Sequence, residues 1–167
     1  MGRRLYRVAA WLSTVGVMSS CMLLPGEERK IARRLDELAE AASVNADESP
    51  VIRAAGGARI GRYFTEHAVI QMDADAEPIQ GRDTVVALAS QARAAAADLK
   101  VRFTDVEIRV PDSGTATAHL TLIVSGRSQV DAGDSTDGRE LALTLQKIDG
   151  DWLISRAETL RTLQRPE

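Results

Sequence analysis

Few side chains in this chain could carry chemistry. There is one thiol, Cys21, and there are two imidazoles, His67 and His119. A lone cysteine excludes an internal disulfide and a thiolate metal cluster. The two histidines are far apart and show no His-x3-His spacing, so no metal centre and no cofactor is expected. Of the two tyrosines, only Tyr63 lies beyond the first twenty residues. Asp73, Asp75 and Glu77 gather just before Pro78. A polar loop carries such residues in any case, but Asp73 closes an apolar run and stands out among them. His119 sits in an alternating segment, on the face shared by Thr117, Thr121 and Ile123. That face lines either a pocket or a dimer interface, and Asp73, His119 and Thr121 are the polar residues expected at a ligand pocket. In such a segment a histidine is more often a half-buried hydrogen-bonding residue than a catalyst. The net charge is −3, and Arg3, Arg4 and Arg7 all lie at the extreme N-terminus, so the remainder is more acidic still. A nucleic-acid surface needs clustered Lys and Arg, so none is expected.

Cys21 has the most coherent context. Arg3, Arg4 and Arg7 precede an apolar run from Val8 to Ser20. This is the layout of a secretory leader, with the positive end held in the cytoplasm. The run falls short of the roughly 20 residues that a transmembrane helix needs. Val17-Met-Ser-Ser-Cys21 resembles a bacterial lipobox, in which small residues precede a cysteine that is lipidated and becomes the new N-terminus. The expected division is a signal peptide over 1–20, a short tether over 21–26 and one domain over 27–165. Export to the cell envelope follows, with membrane lipid held through Cys21.

The elements that must position the domain's polar residues are legible from periodicity. From Glu27, the residues Ile31, Leu35, Leu38, Ala39 and Ala42 recur at helical spacing, and Glu27 and Glu28 suit the positive end of the dipole. Asn45–Pro50 breaks that helix. A shorter helix is expected next, interrupted at Gly56-Gly57 and resuming over 59–65, followed by a strand over His67–Asp73. Gly81-Arg-Asp-Thr opens a second long helix, with Val85, Leu88, Ala92, Ala96 and Leu99 on its stripe. Beyond Lys100 the period becomes two, and 101–110, 115–125, 139–148 and 152–160 each read as strands. Ala116, Ala118, Leu120, Leu122 and Val124 share one face of the second. The apolar parity slips between Phe103 and Val106, which predicts a β-bulge. Asp112-Ser-Gly114 and Asp149-Gly-Asp151 read as tight turns, and 126–138 as a long polar hairpin loop. The two Arg groups at 33–34 and 53–62 read as solvated helix faces, and Trp152 as the anchor of the last hairpin. The order predicts an α+β domain in which a strongly curved antiparallel sheet carries helices on its concave face and encloses a cone-shaped cavity.

Arg62-Tyr-Phe-Thr-Glu-His-Ala-Val-Ile70, Pro78-Ile-Gln-Gly81-Arg and Lys147-Ile-Asp-Gly-Asp-Trp-Leu-Ile-Ser-Arg156 together resemble the nuclear transport factor 2-like (cystatin-like) superfamily, with its SnoaL-like and ketosteroid-isomerase-like members. The resemblance implies a conical pocket and frequent homodimerisation through the outer sheet face. It also implies Asp73 as the general base of an isomerase, whose enolate needs an electrophilic partner. The first long helix, where that family places its oxyanion tyrosine, has none, which leaves Tyr63 or His119 to assist. Fold alone licenses no activity. Three readings therefore stand. The leading one is a lipid-anchored envelope protein whose non-catalytic domain binds a small apolar molecule or docks an envelope protein. The others are a SnoaL-like or isomerase-like enzyme acting on a hydrophobic carbonyl compound, and a dimeric interaction module. Convergence of Asp73, Tyr63 and His119 in one concave pocket is what the enzyme requires, whereas a purely aliphatic pocket favours binding.

Overall fold

The computed structural model describes residues 26–73, 75–128 and 133–163, so Cys21 and the expected leader lie outside the described residues. Helix α1 spans Gly26–Ala42, α2 Pro50–Ile60 and α3 Arg82–Ala95, with a single 3-10 turn at Gly61–Tyr63. The strands are β1 Phe64–Gln71, β2 Ile79–Gln80, β3 Ala96–Arg109, β4 Thr115–Ser128, β5 Asp134–Ile148 and β6 Asp151–Leu163. They form one six-stranded sheet in the order β2-β1-β6-β5-β4-β3. Every neighbouring pair is antiparallel except β1 and β6, which run parallel.

Side-chain alternation decides which face meets the helices. On β4, Ala116, Ala118 and Leu120 are buried while Thr115, Thr117 and His119 are exposed, the period-two pattern of a sheet covered on one side. Their β5 partners in register are Leu145, Leu143 and Leu141. Ile31, Leu35 and Leu38 from α1 close onto the same cluster, and Ile31 and Leu145 are its most completely buried large side chains. Burial of each such side chain contributes about 1.5–3 kcal/mol. The bulge expected near Phe103–Val106 is present: the β3–β4 register shifts between Thr104 and Glu107, and Asp105 takes φ +52°. Further shifts interrupt the β5–β6 ladder. Such irregularities bend long strands, and here they curve the sheet around the helices. The β5–β6 turn has positive φ at both Asp149 and Gly150, the type I′ geometry that joins twisted strands in two residues.

Several expectations are corrected. Gly56-Gly57 does not interrupt α2. A Cβ on Gly56 would lie 2.3 Å from the Arg93 guanidinium, and one on Gly57 would lie 1.8 Å from Ser90 Oγ and 2.8 Å from Ser90 Cβ. The pair is there so that α2 can seat directly on α3. The helix does not resume over 59–65 as far as Thr65, because β1 begins at Phe64, three residues before the expected start. The second long helix stops at Ala95, and Ala96 and Leu99 belong to β3. Pairing of Ala96 with Ser128 and of Leu99 with Gly126 outweighs the alanine-rich helix propensity there. The predicted loop over 126–138 is shorter than expected, since the β4–β5 ladder runs on to Arg127 and Asp134.

Two arginines expected to be solvated are not. Arg34 donates to the carbonyls of Arg62 and Trp152 and lies over the Tyr63 ring. Arg53 donates to the carbonyls of Asn45, Ala46, Glu48, Ala96 and Ala97. Arg93, 3% exposed, donates to the carbonyls of Ala41, Ser43 and Arg53 and pairs with Glu48 at 3.2 Å. Helix α1 has no basic residue in its own last turn. Arg53 and Arg93 instead bring positive charge and donors to its C-terminal end, where carbonyls lack helical partners.

Trp152 is an anchor, as expected. It is buried, and its indole Nε1 donates to Glu27 at 2.8 Å. The same carboxylate accepts from Lys30 and Lys147, and these bonds, Lys147 foremost, lower its pKa from 4.5 to about 2. The first turn of α1 is thereby fastened to the β5–β6 hairpin.

Candidate functional site

The concave side of the sheet holds a cavity of about 450 Å³, within the roughly 300–1,000 Å³ typical of small-molecule sites. Phe64, Ile70 and Met72 line it from β1 and the residue beyond, with Val85, Leu88 and Ala89 from α3, Phe103 from β3, Leu122 from β4, and Leu141 and Leu143 from β5. Leu88, on α3, is 43% exposed. Among the described residues that line the cavity, every one is apolar except Arg93, whose guanidinium is committed to the α1 end and Glu48. A larger hollow of about 670 Å³ lies between α1 and the edge strand β3. Asp36, Glu40, Lys100 and Arg102 contribute charged walls to it, so it offers an apolar molecule little shelter.

The residues expected to carry catalysis are not brought together. Asp73 lies just past β1 with its side chain 66% exposed, 3.8 Å from Arg139 Nη1, and does not line the cavity. Tyr63 is buried beneath Arg34 near the α1–Trp152 contact, and it too is absent from the cavity wall. His119 and Thr121 project from the opposite face of β4 into a shallow hollow with Glu107, Arg109 and Glu140. The thickness of the sheet separates them from the cavity, so the expected grouping of Asp73, His119 and Thr121 in one pocket is not formed. The physical reason is parity: Ala118 and Leu120 occupy the concave face, which turns residues 119 and 121 outward. His67 is exposed at its strand position. Among the described residues no three His, Cys, Asp or Glu side chains gather as a metal would require, and no helix is long and apolar enough to cross a membrane.

One polar residue near the cavity went unnoticed in the sequence. Arg139 shares the concave parity of Leu141 and Leu143 and pairs in register with Leu122. Its Nε donates to Asp137 at 3.0 Å and its Nη1 to the carbonyl of Met72 at 3.4 Å. The signal was available in the alternation of β5, but the segment read as loop up to Gly138 and its register was hidden.

What this arrangement can do follows from its groups. General acid–base chemistry needs a titratable side chain within hydrogen-bond reach of the reacting atom, and among the described residues the cavity wall supplies none for proton transfer. An apolar surface for an apolar body is what it supplies.

A family model described as a SnoaL-like domain matches residues 54–158. No curated protein matches the sequence. Among solved structures, a Novosphingobium aromaticivorans protein assigned provisionally as a scytalone dehydratase superposes with a TM-score of 0.70 at 16% identity, over 83% of this chain and 85% of that one. One assigned provisionally as an aromatic ring hydroxylase, from the same organism, gives 0.66 at 17% identity over 81% and 90%. A nuclear transport factor 2-like protein with a cystatin-like fold, again from Novosphingobium aromaticivorans, gives 0.60 at 14% identity over 79% of each chain. At these identities the likeness establishes the fold.

Proposed function

The chain belongs to the SnoaL-like domain family, and we propose that it holds a small apolar molecule in its concave cavity without transforming it. One observation carries this reading: a cavity of about 450 Å³ whose wall presents apolar side chains and no free proton-transfer group. Burial of apolar ligand surface there supplies about 25 cal/mol per Å². The structural neighbours named for reactions are too distant in sequence to bring those reactions here.

The leader supports a place for this activity. Ser19, Ser20 and Cys21 follow a basic and apolar segment, and we assign the protein to the cell envelope, attached to the membrane through lipid on Cys21. The outer sheet face, where the exposed Leu160 stands beside His119 and Thr121, is the surface we assign to pairing with a second copy. The test of the binding reading is solvent extraction of protein purified from its native membranes, followed by mass spectrometry. A stoichiometric apolar compound that co-purifies with the protein, and is missing after the cavity is filled by mutation, is the expected result. Equal extracts from the filled and unfilled proteins would refute it.

A further inference from the structure

The proposed ligand site has an apolar wall, but a charge stands beside it. Arg139 stands on the concave face of β5, across from Leu122 and next but one to Leu141, both of which line the cavity. Its side chain is 23% exposed. It leans over the end of β1, where Nη1 meets the carbonyl of Met72, itself a lining residue, and Asp73 Oδ1 lies 3.8 Å away. Nε is bound to Asp137. Among the described residues Nη2 makes no hydrogen bond, so a half-buried guanidinium keeps donors to spare beside an apolar chamber. A guanidinium has five N–H donors and no acceptor, so only an acceptor atom can satisfy them.

The charge around it narrows the acceptor. Asp73 and Asp137 flank one arginine, and the exposed Asp75 and Glu77 follow in the adjoining loop. The surroundings are net negative, so a carboxylate or phosphate brought to Nη2 meets repulsion as well as attraction. A carbonyl or ester oxygen meets no such repulsion. Resting on the binding reading above, we propose that the ligand is a neutral amphiphile, its hydrocarbon body in the cavity and a carbonyl-type oxygen accepting from Arg139. Asp73 and Asp137 are positioning residues that hold the guanidinium beside the cavity. Asp73, singled out in the sequence as a base, thus serves the site through Arg139.

The experiment is competition against a neutral naphthylamine fluorophore bound to the full chain. The competitors are undecane, methyl decanoate, decanoate and decylamine, which are matched in chain length. A hydrogen bond from a charged donor predicts that the methyl ester binds about tenfold or more tighter than the alkane, with decanoate weaker than the ester. Arg139→Met should bring the ester down to the alkane while leaving the alkane's affinity unchanged, which also reports an intact cavity. Arg139→Lys should keep part of the preference. Equal affinities of ester and alkane for the wild-type chain, tighter binding of decanoate, or an equal loss for both neutral probes in Arg139→Met would each overturn the head-group assignment alone. Absence of saturable binding by any probe would overturn the binding reading, and this inference with it.

Discussion

Replacing Gly57 by alanine is expected to destabilise the protein, although the same change in an ordinary helix interior stabilises by about 1 kcal/mol. Gly57 is buried in the middle of α2, and its missing Cβ would stand 1.8 Å from Ser90 Oγ, 2.8 Å from Ser90 Cβ and 3.1 Å from Ser90 Cα. Rotating the serine hydroxyl, which donates to the Val86 carbonyl, relieves only the first of these contacts. The other two require α3 to move away from α2. Overpacking of this kind costs about 1–3 kcal/mol, so after the gain in propensity the net loss reaches about 2 kcal/mol. The assay is urea unfolding, with an unchanged slope taken as the sign that the midpoint reports stability. Ser90→Gly removes the two nearest of the three atoms, Oγ and Cβ, at an expected cost of about 0.5 kcal/mol, and in its background the cost of Gly57→Ala should largely disappear. The double-mutant cycle should therefore give a coupling of about 1 kcal/mol or more. A Gly57→Ala protein at least as stable as the wild type, or a coupling within about 0.5 kcal/mol of zero, refutes the close seating of α2 on α3.

Three further outcomes follow from the structure. Glu27 has its pKa lowered from 4.5 to about 2, chiefly by the bond from Lys147, so its stabilisation is full above pH 4.5 and fades as pH falls toward 2. Glu27→Gln should thus lower the melting temperature at neutral pH, and the gap from wild type should close between pH 4.5 and 2; a pH-independent gap contradicts the ionic clamp. Arg93→Met should cost about 3–5 kcal/mol by leaving Glu48 and the α1 carbonyls without their donor, measured by the same urea titration, and a loss below about 1 kcal/mol would show the network to be dispensable. Cys21→Ser should abolish labelling by a fatty-acid analogue and release the protein from the membrane fraction, whereas unchanged labelling ends the anchoring proposal.

Much of the fold was legible because periodicity reports burial directly. The α1 stripe, the concave residues of β4, the bulge near Asp105 and the Asp149-Gly turn are each recorded in local spacing. What was not legible depends on distant partners. Gly56-Gly57 looks like a helix break until α3 is seen against it, and the alanine run over 94–97 gives no hint that Ser128 will pair with Ala96. Arg53 and Arg93 resemble surface arginines because carbonyls they bind, Ala96 and Ala97 for Arg53, Ala41 and Ser43 for Arg93, come from distant parts of the chain. The site suffered most. Asp73 stood out by position, but its relevance passes through Arg139, far along the chain and hidden by an uncertain strand start. His119 was on the correct strand and its outward face was legible, yet whether that face met the cavity could be decided only by the packing of the helices.

The central claim is that the cavity beneath α3 is a binding chamber. Its most direct test is titration of the chain with a neutral apolar fluorophore, in wild type and in Ala89→Trp, which places an indole in the chamber from a half-buried position on α3. Saturable binding of one probe per chain, weakened about tenfold or more in Ala89→Trp with the fold retained, is the predicted result. Binding that does not saturate, or that is equally strong in the filled variant, would contradict it.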